Sequence, residues 1–443
     1  MSRRSLEVLD PNPGSRSRAV FYYVYLACLF GANAVALMPA RNFGQSGSNT
    51  LFTASWIGLG GFSILFLLGT IRRSPRTLIF SLVVGLYVVG STMWSVAPSS
   101  SLIYGSLLAI NILTAHLMAA DLGVDKAMRM VGQTILALCI GGIVAYAAGF
   151  AQVYYFDIHG RPNILGGQPF RGFFVHKITA GLYASLGAVG AVFMLRGWRR
   201  LASLAVFALT VALTSSATGI ALLLIAVGFS TVTYAALKRG MSRFTFFTTL
   251  TVAMGAAVAL LTVNWTGLLG ALGRDVTLTG RTDLWLFGID TFAKRPVYGW
   301  GFNAYFDSPE SLWLRVRVPA FQNYEVPHFH QSYIQTAVDL GLPAVLRVVG
   351  LLGYVLLRSY RLAIQTKSFA AGMIFAATLV MVVASMVMHV FLTYNHFVTF
   401  ALFFFAYLVS GANSRSPGDS IARRPGASRN EGRAGTTPSD IFT

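Results

Sequence analysis

The amino-acid sequence reads as an all-α polytopic membrane helix bundle of about twelve transmembrane helices, with two longer loops on its outer face, the second partly helical. Three features carry that reading. Of 443 residues, 55% are hydrophobic and 11% charged, whereas about a quarter of the residues in soluble chains are charged. Apolar windows close to the ~20 residues that cross a bilayer recur along the chain. Between them, Lys and Arg gather in alternate connections.

Taken in order, spans are expected at 19–39, 51–71, 77–96, 101–120, 129–150, 175–195, 201–214, 217–237, 244–264, 334–357, 370–392 and 395–411. The stretch 201–214 is short for a crossing, and Gly341 and Pro343 should interrupt or kink the span after His330. Cytoplasmic loops hold the excess of Lys and Arg. An inward N-terminus places 23 of the 34 Lys and Arg on that side, in clusters such as Arg72, Arg73 and Arg76, Arg196, Arg199 and Arg200, and Lys238, Arg239 and Arg243. The expected organisation is then a basic cytoplasmic N-terminus at 1–18, a bundle at 19–264 carrying a periplasmic loop at 151–174, a large periplasmic loop at 265–333 with an amphipathic helix, C-terminal spans at 334–411, and a disordered cytoplasmic tail at 412–443. The first span is expected to be a retained helix of an inner-membrane protein with both termini cytoplasmic.

The net charge of +19 does not indicate a nucleic-acid partner, because the basic residues lie between apolar spans and not on one soluble face. Cys28 and Cys139 sit in apolar runs and read as small buried hydrophobes. No Walker loop or dinucleotide fingerprint is present, and no cofactor is expected.

Chemistry-bearing residues concentrate in the two outer loops. Arg171-Gly172-Phe173-Phe174-Val175-His176-Lys177 straddles the entry to a span. Cations placed where hydrocarbon begins are costly unless they pair or meet an anion; Lys177 alone could also snorkel to water. Gly280-Arg281 opens an amphipathic stretch with Trp285, Ile289 and Phe292 on one helical face. A surface helix lying on the membrane, with Arg281 as a headgroup contact, is the plainer reading of that stretch. It ends at Lys294-Arg295-Pro296, after which Gly299-Trp300-Gly301 requires a tight turn. Pro327-His328-Phe329-His330-Gln331 precedes a span. Two histidines two apart make half of a metal site, but zinc normally needs at least three protein ligands, so no metal is expected. His330 at a helix start would be held neutral by the dipole and suit a general base; a histidine satisfied by loop carbonyls is the bland alternative. Ser215-Ser216-Ala217 reads as a helix cap. His116, His389 and His396 lie in or beside spans and could line a polar cavity, with core histidines the plainer reading, and Arg347 lies inside a span with no partner evident from the sequence.

The order of these pieces resembles the O-antigen ligase and Wzy-type polysaccharide polymerase family, and is closest to exopolysaccharide polymerases. They are Trp94-Ser95, Arg171-Gly172 to His176-Lys177, Gly280-Arg281 with Trp285, Pro296 to Gly299 and Gly301, and His330 to Gly341-Leu342-Pro343. Ile178 and Gln331 stand where relatives usually carry Asn, and Ala217 where many carry Arg. The resemblance implies a GT-C-like glycosyltransferase that takes glycan from undecaprenyl diphosphate, a substrate and not a cofactor, at the periplasmic face. Arg171 and Arg281 would meet the charge of the departing diphosphate, and His330 would deprotonate the acceptor hydroxyl. Lys177, His176, His328, Trp285 and Gln331 would bind substrate. The implied partners are the lipid-linked glycan, an acceptor glycan, the lipid bilayer, and chain-length regulator and exporter proteins. Polymerisation of repeat units is the preferred reading; ligation to lipid A core is the nearest alternative, and transport of a lipid-linked sugar is an alternative of another class.

Overall fold

The computed structural model describes residues 13–37, 50–67, 75–156, 162–242, 245–252, 255, 280–318, 321–322 and 326–411. The first twelve residues, Arg72, Arg73, Arg243, most of the span expected at 244–264, residues 265–279 of the large loop and the tail at 412–443 lie outside them. The described chain is a helical bundle. In chain order its helices are α1 (Pro13–Phe30), α2 (Ala32–Leu37), α3 (Thr50–Leu67), α4 (Pro75–Gly90), α5 (Pro98–Asp121), α6 (Val124–Ala147), α7 (Lys177–Met194), α8 (Gly197–Thr214), α9 (Ala217–Arg239), α10 (Arg281–Lys294), α11 (Leu312–Arg317), α12 (Ser332–Thr366), α13 (Phe369–Val387) and α14 (Phe397–Gly411). Among the described residues seven helices are long and apolar enough to cross a membrane, namely α4 with its 3-10 extension, α5, α6, α7, α9, α12 and α13. Shorter apolar helices at Ser17–Phe30, Thr50–Leu65 and Phe397–Gly411 accompany them.

α7 is the axis of the bundle. It packs on α6, α8, α9 and α13, and nearly all its residues are buried. Its run of Gly, Ala and Ser lets neighbouring backbones come close, which is how membrane helices gain packing where lipid supplies no hydrophobic drive. α5 plays the matching role on the other side, against α3, α4 and α14.

Two expected spans are corrected. The first is broken at Gly31, which has φ +113°. A Cβ there would meet Val175 at 2.8 Å, so the backbone of the loop before α7 occupies the notch. The span expected at 370–392 stops at Val387. Ser332 intervenes: its hydroxyl donates to the Met388 carbonyl at 2.9 Å and accepts from the amides of Val390 at 2.8 Å and Phe391 at 3.2 Å. Those bonds satisfy the backbone outside a helix and hold 388–396 against the bundle as a partly buried, turned segment. The span after His330 does break as expected, with Gly341 at φ +76° and ψ 178°, while helix continues through Pro343 to Thr366.

That break forms a backbone knot. Trp300 and Gly301 donate their amides to the carbonyls of Val338 (2.8 Å) and Asp339 (3.0 Å), and Leu342 donates to Pro296 (2.8 Å). The carbonyls that Gly341 frees from the helix are thereby paired with a second strand of backbone, which burial demands. A Cβ on Gly299 would meet the Asp339 carbonyl at 2.5 Å, and one on Gly341 the Val297 oxygen at 2.1 Å. Trp94 Nε1 donates to the Tyr298 carbonyl at 2.9 Å, and the Val96 amide to Trp300 at 3.0 Å. Arg347, an isolated cation in the sequence, stacks 4.9 Å over the Tyr87 ring beside this knot.

The loop before α12 is a folded unit with its own apolar core of Leu284, Phe287, Trp300, Tyr305, Leu314, Val318, Phe321, Val326, Phe329 and Val338. The buried face of α10 is therefore Leu284, Phe287, Gly288 and Thr291. This corrects the expected Trp285, Ile289 and Phe292 stripe, since Ile289 is 54% exposed. α10 packs on α12 through Gly288 against Ile334 and Phe329, so a helix simply lying on a membrane surface does not describe it.

Candidate active site

Both loops lie on one face of the bundle. The 148–176 segment is pinned by an antiparallel bridge between Tyr154 and Phe170, and by amide donation from Arg171 to the Val153 carbonyl at 2.9 Å and from Phe170 to Leu213 at 2.9 Å. This holds Arg171 at 1% exposure, with its Nε donating to the Gln152 carbonyl at 2.8 Å. Burial pulls its guanidinium down to about 10 from the usual 12.5, against an upward pull from Tyr155, so it stays charged at neutral pH.

His176 caps α7. Its Nδ1 accepts from the Ile178 amide at 3.1 Å, and Thr179 Oγ1 accepts from the His176 amide at 3.0 Å. Nδ1 is thus an acceptor, and Nε2 lies 2.7 Å from the Tyr155 hydroxyl. Lys177, buried at 6% exposure, places Nζ 5.0 Å over the Tyr155 ring. Simple snorkelling of Lys177 is not what the fold does. Tyr155 is the hub that the sequence did not disclose: it touches His176 and Lys177 and acts on Arg171, yet it lies sixteen residues or more before each, with no periodicity to tie them.

In the second loop, Gly280 at φ +78° caps α10. Arg281 Nη1 donates to the Val387 carbonyl at 3.0 Å, one of the carbonyls left without a partner at the end of α13, where a cation is favoured. Trp285 Nε1 donates to the Phe329 carbonyl at 3.1 Å, tying α10 to the histidine segment. Gln331 caps α12, its side-chain oxygen accepting from the Ile334 amide at 2.6 Å. The helix therefore starts one residue later than the sequence suggested. His330 precedes the cap in the left-handed region at φ +53°, an unfavourable conformation for a residue with a Cβ that the surroundings must hold. What keeps His330 neutral is correspondingly different. Burial comes first, then the charges of His328, Arg281, His176 and His389, and together they push its pKa well below 6.5.

That set of influences joins the two halves: His330 senses Arg281 from one loop and His176 from the other. His328 is pushed down to about 4 by burial and Arg281. Its ring lies 4.2 Å from that of His330 and 5.3 Å from that of His389. His389 comes from the 388–396 segment and sits at the site instead of in the core. Among the described residues no three His, Cys, Asp or Glu side chains are grouped to hold a metal ion.

Five histidines gather at this face, and their ring nitrogens are used differently. His176 engages both. His328 Nδ1 accepts from the His330 amide at 3.2 Å, His389 Nε2 meets Thr393 Oγ1 at 3.3 Å, and His396 engages Tyr183 at 3.0 Å and the Val398 amide at 3.2 Å. Among the described residues His330 makes no side-chain hydrogen bond.

Against known proteins, residues 202–349 match the family described as O-antigen ligase. That third of the chain is similar to the O-antigen ligase family. That match takes in Arg281, Trp285, His328, His330, Gln331 and the knot around Gly341, and ends short of the Arg171–Lys177 segment. The chain is also 31% identical over 268 residues to the exopolysaccharide production protein ExoQ of Rhizobium meliloti (strain 1021). The match takes in 56% of the chain and spans 58% of that relative's length.

Proposed function

We propose that this chain is a glycosyltransferase of the bacterial inner membrane that polymerises repeat units of an exopolysaccharide or O-antigen, taking glycan from undecaprenyl diphosphate on the periplasmic side. The observation that carries the reading is the uncommitted imidazole of His330, set between guanidinium and imidazole groups from two loops. A diphosphate already leaves readily, so the protein needs to meet its growing charge, and Arg281, Arg171 and Lys177 supply fixed positive charge in a partly water-excluded setting. Guanidinium groups suit phosphate because they donate in pairs and do not deprotonate.

The acceptor hydroxyl gives its proton to a ring nitrogen of His330 as its oxygen bonds the anomeric carbon. The bond from that carbon to the diphosphate oxygen breaks, and the undecaprenyl diphosphate leaves with the electron pair. In the empty site the cations make His330 a weak base. A bound diphosphate offsets Arg281, so the imidazole gains basicity when the donor is present. Trp285 and His328 position the histidine segment, the former through the Phe329 carbonyl and the latter through the His330 amide. Gln331 spends its oxygen on the helix cap, which leaves its amide nitrogen as the group that can face substrate.

Polymerisation is preferred to ligation because the ExoQ relative is named for exopolysaccharide production. The outward facing of the site follows from the Lys and Arg distribution. The test uses purified protein, lipid-linked repeat units and no nucleotide. A ladder of longer lipid-linked glycans is expected, and it should vanish in His330→Ala. Transfer to lipid A core without a ladder would make the chain a ligase, and lipid movement without new glycosidic bonds would make it a transporter.

A further inference from the structure

A cationic cavity lies at the opposite end of the bundle from the His330 cluster. α7 begins at the active-site face and ends at Met194, and α13 runs the other way, from Phe369 to the Val387 carbonyl that Arg281 holds. Eighteen residues of α7, at about 1.5 Å each, put the two ends about 27 Å apart, close to the thickness of a hydrocarbon core. Between α8, α9 and the start of α13 is a cavity of about 450 Å³ lined by Arg196, Gly197, Arg200, Tyr234, Lys238 and Phe369.

Three cations therefore share one cavity whose lining contains no carboxylate. None of them is in an ion pair among the described residues. Arg200 is oriented before any ligand arrives: its Nε donates to the Leu195 carbonyl at 2.9 Å and its guanidinium lies 4.9 Å over the Tyr234 ring. Arg196 enters as the N-cap of α8 and Lys238 from the last turn of α9. Basic residues scattered along a membrane face satisfy the positive-inside bias without converging. Here the start of α8 and the end of α9 bring them, with Phe369 at the start of α13, to one concave space with an aromatic wall. Trp198, 73% exposed beside the cavity, is the type of side chain enriched at the membrane–water boundary.

We propose that this cavity binds a phosphate-bearing anion, carried by an anionic phospholipid headgroup or free in solution. Basic pockets between spans are suited to such headgroups, and 450 Å³ accommodates a phosphodiester with its glycerol. The site lies a membrane thickness from His330 and does not depend on the reading of the reaction.

The full-length protein in neutral detergent would be titrated with dioctanoyl phosphatidylglycerol, dioctanoyl phosphatidylcholine and inorganic phosphate, with thermal stability and native mass spectrometry as readouts. Saturable binding of phosphatidylglycerol over phosphatidylcholine is expected, weakened roughly fivefold for each charge removed in Arg196→Gln, Arg200→Gln and Lys238→Gln. Saturation by inorganic phosphate alone, with the same variant dependence, would support the site and assign it to a free anion. Equal binding of the two lipids, or binding unchanged in the variants, would overturn it. Arg196 and Lys238 are exposed, so those variants keep the test alive if Arg200→Gln fails to fold.

Discussion

The knot around Gly341 and the cationic cluster around His330 lie only about three helical turns apart in the chain and are built on opposite principles. In the knot the amides of Gly299, Trp300, Gly301 and Leu342 all meet backbone carbonyls, and two glycines occupy conformations and spaces that no other residue fits. In the cluster, several imidazoles and the Arg281 guanidinium are crowded together, His330 holds a left-handed backbone, and its ring makes no hydrogen bond among the described residues. One region spends its chemistry on being rigid. The other sits beside that rigid part in an arrangement that, on the proposed function, an anion would relieve.

The sharpest way to break this comparison is Gly341→Val or Gly299→Val, each of which drives a Cβ into a backbone carbonyl. Losses of about 3 kcal/mol or more are expected, read as a collapse in melting temperature and in monodisperse yield; wild-type stability would show that the knot is not structural. Next, His330→Ala and Arg281→Ala should lower polymerisation by about a hundredfold or more, with His330→Ala leaving thermal stability near wild type. Arg281 also ties α10 to α13, so Arg281→Lys is the cleaner variant: restored melting temperature without restored turnover separates its two duties.

Arg171→Lys should be poorer by about tenfold to a hundredfold, because an ammonium does not reproduce the fork; turnover within twofold would remove Arg171 from the phosphate site. Tyr155→Phe should cost a few-fold by releasing His176. The gentlest probe is pH. His330 acts in its neutral form and its pKa is held well below 6.5, so kcat/KM should stay level as pH falls through 6.5 and decline only below it. An acid limb at the ordinary histidine value or above would show that the cationic surroundings do not act on the base.

The helical class, most of the helix positions and the break at Gly341 were legible in the sequence, and Arg171, Arg281 and His330 stood out there as candidates, because apolar length, chain-breaking residues and charge near hydrocarbon are local signals. The role of each motif was not. Trp94-Ser95, Pro296–Gly301 and Gly341 stood beside the catalytic candidates as equal pieces of a family pattern, and only their contacts separate bracing from chemistry. His389 read as a core residue because nothing local ends its apolar run; Ser332, fifty-six residues away in sequence, does.

The sequence by itself determined that this chain is an apolar helical protein with cations where an anion could meet them. Those are properties of single segments, set by transfer from water and by backbone restriction. The tertiary structure decided which groups gather around His330, which histidine keeps its ring uncommitted among the described residues, and that a basic cavity lies between α8, α9 and α13. Convergence depends on how helices far apart in the chain pack together, and no local pattern encodes that distance.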